Sequence, residues 1–369
     1  FERGGILPSI TGETPRAAER IKQTESALKI VGGKLYADYH RNRLELIEYL
    51  IKVKHKRLEL AIHIAQKLMD RIVFIAFCKC RQLLPRQVIY EAAHHYSKFE
   101  NVTNPRWQNF VKLFRCIDQG GAEGEIPAYN GGLFRTDPEV DDMNLLSDKW
   151  TAFFQEIDQY DFESEINVDV LGRIFERSVT DLESYRISAL HPDAKPPTNG
   201  KRKREGIYYT PPRITRYIVE QSVGALLKER FAALAAQLGI EAPDDHPSPK
   251  TLANWLKYQM ARLDAVSNFR ILDPACGSGA FLIAAYDFLE DLYQEIIDAL
   301  SLQQGFPQEH LQNLKDNIVR NNLFGVDLSG ESVEITQLAL WLRTAERGKT
   351  LADLSANIRR GNSLVDNPE

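Results

Sequence analysis

Ile271-Leu-Asp-Pro-Ala-Cys-Gly-Ser-Gly-Ala-Phe-Leu282 is the stretch whose reading decides the fold. Ile271 and Leu272, closed by Asp273, have the character of the end of a short buried strand. Pro274 to Gly279 can continue neither a strand nor a helix comfortably. From Ala280 the apolar residues Phe281, Leu282, Ala285, Phe288, Leu289 and Leu292 return at helical spacing. Strand, glycine-rich turn and helix in this order make the first crossover of a doubly wound α/β sheet. Ligands in such sheets sit beyond the carboxyl ends of the strands.

The turn is selective about its ligand. A phosphate-binding P-loop requires a lysine after its last glycine, and none follows Gly279. The nicotinamide fingerprint G-x-G-x-x-G keeps its first two glycines, but Leu282 stands in the third place. What remains is an acid at the mouth of a bare glycine turn. That arrangement suits a ligand with an amino-acid end, whose ammonium donates to the carboxylate while the glycines let it approach.

Asp273-Pro-Ala-Cys-Gly-Ser-Gly-Ala-Phe281 resembles the S-adenosylmethionine motif of N6-adenine DNA methyltransferases of restriction–modification systems, in particular the type IIG and type I-like enzymes. Three flanking segments follow that family's order. Gly206-Ile-Tyr-Tyr-Thr-Pro-Pro-Arg213 is similar to the segment over the methionine end of the cofactor. Phe324-Gly-Val-Asp327-Leu328 is similar to the second strand, and Asn357-Ile-Arg-Arg-Gly-Asn-Ser-Leu364 to the segment beside the adenine ring. The resemblance implies that Thr210 and Asp273 hold the methionine end, with Tyr208 and Pro211 from the same upstream segment. It further implies that Pro274, Ala275, Cys276, Gly277, Gly279 and Phe281 form the turn against the cofactor. Asp327 would take the ribose hydroxyls beside Leu328, and Asn362 and Ser363 would border the adenine. No metal is implied.

With 369 residues the chain is long enough for two cores. A net charge of -5 and a pI near 6.0 give no global attraction to nucleic acid, so a DNA-facing surface has to be local or lie in other residues. Four scattered cysteines make neither a disulfide framework nor a zinc site and suit a reducing cytoplasm; Cys78 and Cys80 read as buried thiols. No apolar run approaches the roughly 20 residues of a membrane span. The chain opens at Phe1 and stops in mid-pattern, as a piece of something larger would.

Upstream of the turn the periodicity is helical. Residues 1 to about 35 read as a tail with at most one short helix, and Leu35 to Pro85 as helical throughout. Arg41, Arg43, Lys52, Lys54, His55, Lys56 and Arg57 read as a solvated face, or else as an edge against phosphates. Amphipathic helices follow over Trp107 to Asp118 and Val168 to Ser184. Segments 64–85, 131–134 and 168–184 also resemble the helical region ahead of type IIG methyltransferase domains. Residues 186–205, with Lys201-Arg-Lys-Arg204, form either a mobile interdomain loop or an arm meeting the DNA backbone. The only Asp/Glu-x-Lys spacing, Asp193-Ala-Lys195, lies among prolines and cannot be a nuclease core strand.

The chain is therefore expected to comprise a mainly α-helical domain over 1–185, a basic linker over 186–205, and the first part of a Rossmann-like, S-adenosylmethionine-dependent methyltransferase domain over 206–369. The implied substrate is adenine N6 in double-stranded DNA, with a specificity or restriction subunit or domain as a further partner. The Asn/Asp-Pro-Pro-aromatic element that receives the exocyclic amine is absent, so no catalytic residue is assigned; it is expected after Glu369. The rivals are a methyltransferase acting on RNA or protein, and a non-catalytic scaffold of a phage-defence complex.

Overall fold

The computed structural model describes residues 16–95, 102–121, 124–129, 132–162, 210, 212–240, 248–301 and 313–365, with scattered positions between 166 and 189. The chain divides into two compact units: Phe1–Ala128 with Leu133–Ala194, and Tyr129–Gly132 with Lys195–Glu369. Among the described residues, no helix is long and apolar enough to cross a membrane.

The first unit is helical. It contains α1 (Arg16–Lys52), α2 (Leu58–Cys80), α3 (Val88–His94), α4 (Pro105–Gln119) and α5 (Thr151–Asp158). Of the expected N-terminal tail, residues 1–15 lie outside the described residues, and from Arg16 the chain is helix straight through Gly32-Gly33. A glycine inside a helix costs about 1 kcal/mol. The downstream apolar face of α1 (Leu35, Tyr36, Tyr39, Leu46, Ile47 and Leu50, all buried) contributes more, at roughly 1.5–3 kcal/mol per large side chain. The run from Leu35 to Pro85 is also broken, by a turn at 53–57 in which His55 has φ 53°. The helix over Trp107 to Asp118 is observed, ending at Gly120. Most of the helix expected over Val168 to Ser184, and all of Asp193-Ala-Lys195 and Lys201–Arg204, lie outside the described residues.

The expected basic face is only partly a surface. Arg43 is fully buried, donating to Gln66 Oε1 at 3.0 Å, to the Ser178 carbonyl at 3.0 Å and to the Ser178 hydroxyl. Its charge placed it with the surface residues, although it lies at helical spacing from the buried Tyr39, Leu46 and Ile47. Lys52 pairs with Glu48, Lys56 with Glu139 and Arg41 with Glu156, and Lys54 donates to the Asn144 carbonyl. Of the two thiols on α2, Cys78 is buried and Cys80 is half-buried.

The second unit holds the sheet. Helix α6 (Pro212–Val219) continues through a π-turn at Glu220–Gly224 into α7 (Ala225–Leu238), and α8 (Pro249–Ser267) follows with Ser248 as N-cap. Then come β1 (Ile271–Asp273), α9 (Ala280–Ser301), α10 (Leu314–Asn317), a second π-turn at Ile318–Asn322, β2 (Leu323–Asp327), α11 (Gly330–Thr344) and β3 (Ile358–Arg360). The strands form a parallel sheet in the order β1-β2-β3, with Asp273 opposite Gly325 and Asp327 opposite Arg360.

One sheet face is tightly covered. A Cβ on Gly325 would lie 2.9 Å from Leu282 Cδ1 of α9 and 3.0 Å from Cys276 Sγ, so β2 can run this close beneath the helix only because it carries no side chain there. The register places Leu272, Phe324, Val326 and Arg359 on the opposite face, where Leu272 is 61% exposed.

Candidate functional site

The two strand-end acids lie at the same edge of the sheet, as expected of neighbouring parallel strands. Asp273 Oδ1 accepts the Ala275 N–H at 3.1 Å, folding the turn back over the end of β1. Asp327 Oδ2 accepts the Gly277 N–H at 2.9 Å, and Oδ1 accepts the Ser329 N–H at 2.9 Å. The Cys276 N–H donates to the Val326 carbonyl at 3.0 Å, adding a backbone link between turn and strand. Gly277 and Gly279 have φ of 53° and 84°, left-handed values that glycine adopts without strain. Glycine at 277 and 279 is thus favoured by the backbone path.

The two glycines face different surroundings. A Cβ on Gly279 would lie 2.9 Å from Thr336 Cγ2, inside the protein. A Cβ on Gly277 would meet nothing within 4 Å. Gly277 therefore faces open space, a bay beside Asp327, whose carboxylate accepts its N–H. Burial, and then the neighbouring Asp327 charge, push the Asp273 carboxyl above its ordinary value, against the opposing effect of the Ala275 N–H. Cys276 is buried, and burial followed by the two carboxylates raises its thiol to about 12. Its Sγ packs over Gly325, and burial of this kind disfavours the thiolate that a nucleophile needs.

This chemistry fits S-adenosylmethionine. Each Asp327 oxygen accepts one backbone hydrogen and retains acceptor capacity for a hydroxyl. Asp273 keeps capacity for an ammonium, and the space beside Gly277 admits a ligand to the backbone. A pyrophosphate would meet two carboxylates here.

The other expected residues are distributed around this centre. The Gly361 N–H donates to the Asp327 carbonyl at 2.9 Å, which brings the segment with Asn362 and Ser363 beside the end of β2. Asn362 Oδ1 accepts the Leu364 N–H, and both Asn362 and Ser363 are exposed. Leu328 is 66% exposed, and its carbonyl accepts Arg360 Nε. Pro274 and Ala275 are exposed and Phe281 is half-buried on α9. Thr210 is half-buried ahead of α6, whereas Tyr208 and Pro211 lie outside the described residues.

Three residues to which the sequence assigns no role support the site. Asn322 Nδ2 donates to the carbonyls of Val266 and Phe269, fastening the approach to β1 to the approach to β2. Asn357 Nδ2 lies within hydrogen-bond reach of the carbonyls of Val319, Arg320 and Leu323, around the second π-turn. Thr336 donates to the Gly277 carbonyl at 2.8 Å. Asparagine beside a strand is an ordinary loop signal, and Thr336 is indistinguishable from its apolar neighbours in helical spacing.

Sequence and fold are similar to those of known proteins. Residues 251–360 match the family described as MmeI, DNA-methyltransferase domain. The chain is 28% identical over 339 residues to RM.MjaORFECS2P of Methanocaldococcus jannaschii, named as a type II restriction enzyme and methyltransferase; the match takes in 81% of this chain. It is 26% identical over 348 residues to the type II restriction enzyme and methyltransferase RM.Eco57I of Escherichia coli, covering 88% of this chain. It is 27% identical over 134 residues, 36% of this chain, to the adenine-specific methyltransferase BrxX of Escherichia coli, covering 10% of that protein. The chain spans 27% and 29% of the lengths of the first two relatives. In fold it is similar to the type IIL restriction–modification enzyme MmeI, solved in complex with DNA. The TM-score is 0.56 at 18% identity, over 89% of this chain and 40% of that one. The resemblance to restriction–modification DNA methyltransferases is borne out.

Proposed function

We propose that this chain is the helical and cofactor-binding portion of a restriction–modification or phage-defence DNA methyltransferase that uses S-adenosylmethionine to methylate adenine N6. In this reading residues 1–185 are a helical domain, 186–205 a basic linker, and 206–369 the first part of a Rossmann-like methyltransferase sheet. Double-stranded DNA is the substrate, and a specificity or restriction subunit or domain is a further partner.

The observation that carries the reading is the open space at Gly277 beside Asp327, held by the Asp327–Gly277 hydrogen bond, with the second strand-end acid Asp273 near enough to feel the Asp327 charge. When bound, S-adenosylmethionine supplies a methyl group on a sulfonium, which needs in-line positioning more than acid–base help. Asp273 accepts from the ammonium, Asp327 from the ribose hydroxyls, and Gly277 leaves room for close backbone approach. Asn362 and Ser363 border the base. The names of the relatives support a DNA substrate and an adenine acceptor.

Calorimetric titration of the 369-residue chain with S-adenosylmethionine tests the cofactor assignment, with NADH as a decoy. Saturable heat with S-adenosylmethionine and none with NADH is the expected result. Equal binding of both would overturn the assignment.

A further inference from the structure

Gly277 is held at both ends of its residue: its N–H donates to Asp327 and its carbonyl accepts from Thr336. Thr336 lies on α11, 59 residues further along the chain, and is fully buried. Its methyl occupies the space that a Cβ on Gly279 would need, and its hydroxyl also influences the Cys276 thiol. One side chain therefore meets the turn at two points, the Gly277 carbonyl and the space beside Gly279. The Gly277 N–H and carbonyl belong to successive peptide planes that meet at its Cα, where φ is 53°, so holding the second plane restricts the first. Inside the protein the group placed to receive that carbonyl is the Thr336 hydroxyl, and a buried carbonyl that loses its donor favours a rotated turn.

We infer that Thr336 is a positioning residue: through the Gly277 carbonyl it sets the orientation of the Gly277 N–H, and so the way Asp327 presents its oxygens to a ligand. The inference rests on the cofactor reading above only for the ligand's identity; the orientation of Gly277 is a property of the free protein.

Three variants test it. Thr336→Val keeps the shape and removes the hydroxyl, whereas Thr336→Ser keeps the hydroxyl and removes the methyl. Thr344→Val removes a buried hydroxyl from the same helix that bonds only to its own helix carbonyls, so it reports on general loosening. Amide hydrogen exchange is measured at Gly277 in the free chain, and calorimetry is then run with S-adenosylmethionine. The expected result is at least a tenfold faster Gly277 exchange and at least a tenfold weaker binding in Thr336→Val. Thr336→Ser and Thr344→Val should stay within about threefold of the parent in both. Unchanged Gly277 exchange in Thr336→Val, or equal effects from Thr344→Val, would overturn the inference. Faster exchange in Thr336→Val, in a parent chain that does not bind S-adenosylmethionine, would uphold the positioning role and reject the cofactor reading instead.

Discussion

Asp327, the last residue of β2, accepts the amide hydrogen of Gly277, which lies 50 residues earlier in the turn after β1. A single carboxylate thereby locks the glycine turn to the neighbouring strand and lines the bay that the turn opens. Structure and binding are coupled at this residue, and substitutions there should reveal both.

Asp327→Ala removes the acceptor for the N–H groups of both Gly277 and Ser329. With a net contribution of about 1 kcal/mol per hydrogen bond, the sheet-bearing unit should lose on the order of 2 kcal/mol in a denaturant titration. S-adenosylmethionine binding should fall at least a hundredfold in the same preparation. Loss of stability with undiminished binding would separate Asp327 from the ligand.

Asp273 should behave in the opposite way. Its folded-state carboxyl lies above the ordinary value through burial and the Asp327 charge, so its ionisation opposes folding. The stability that its neutral form supplies is present at low pH and is lost as pH rises from the ordinary carboxylate range through the folded value. Asp273→Asn keeps an acceptor for the Ala275 N–H and removes the charge. It should raise Tm by roughly 2 °C at pH 7, flatten that part of the pH–stability curve, and weaken S-adenosylmethionine binding. A lower Tm at pH 7 would contradict the assignment of strain to this carboxylate.

The two glycines give a matched pair. Gly279→Ala forces a methyl against Thr336 at a φ of 84° and should destabilise the unit by about 1–3 kcal/mol. Gly277→Ala meets open space and carries only the left-handed backbone penalty of roughly 1 kcal/mol, but it places its methyl in the bay. Thermal melts should rank Gly279→Ala as the worse folder. Titration should rank Gly277→Ala as the worse binder for its stability.

In the helical unit, Asp141 is almost fully buried and bridges Arg71, itself fully buried, to Arg115. Arg71 also donates to the carbonyls of Leu133 and Arg135. Asp141→Ala would remove the carboxylate in contact with a buried guanidinium and should cost about 3–5 kcal/mol, read as an earlier unfolding transition by circular dichroism.

Much of this architecture was legible in the sequence. Pro274 and two glycines break periodicity so sharply that strand, turn and helix could be placed to within a residue, and Asp327 stood out as an acid closing an apolar strand. The N-terminal helix was misread because Gly32-Gly33 signals a break, whereas the buried Leu35, Tyr36 and Tyr39 that follow hold the helix past it. Arg43 was misplaced for a related reason: a charge beside an apolar stripe is buried when Gln66 and Ser178 are there to receive it, and no local pattern announces partners so distant in sequence. Thr336 was hidden in the same way, since its contribution is a hydroxyl meeting a carbonyl 59 residues away.

The sheet-bearing unit also claims Tyr129–Gly132 from within the helical half of the sequence. The Tyr129 carbonyl accepts the Leu351 N–H at 2.6 Å, and Gly132 lies against the Trp341 ring, whose Nε1 donates to the Ala352 carbonyl. During synthesis this short piece leaves the ribosome long before the partners it serves. A protease nick near Lys201 would likewise leave it on the N-terminal fragment, still hydrogen-bonded to the C-terminal one. The two fragments of the nicked protein should therefore travel together through gel filtration and part only under denaturant.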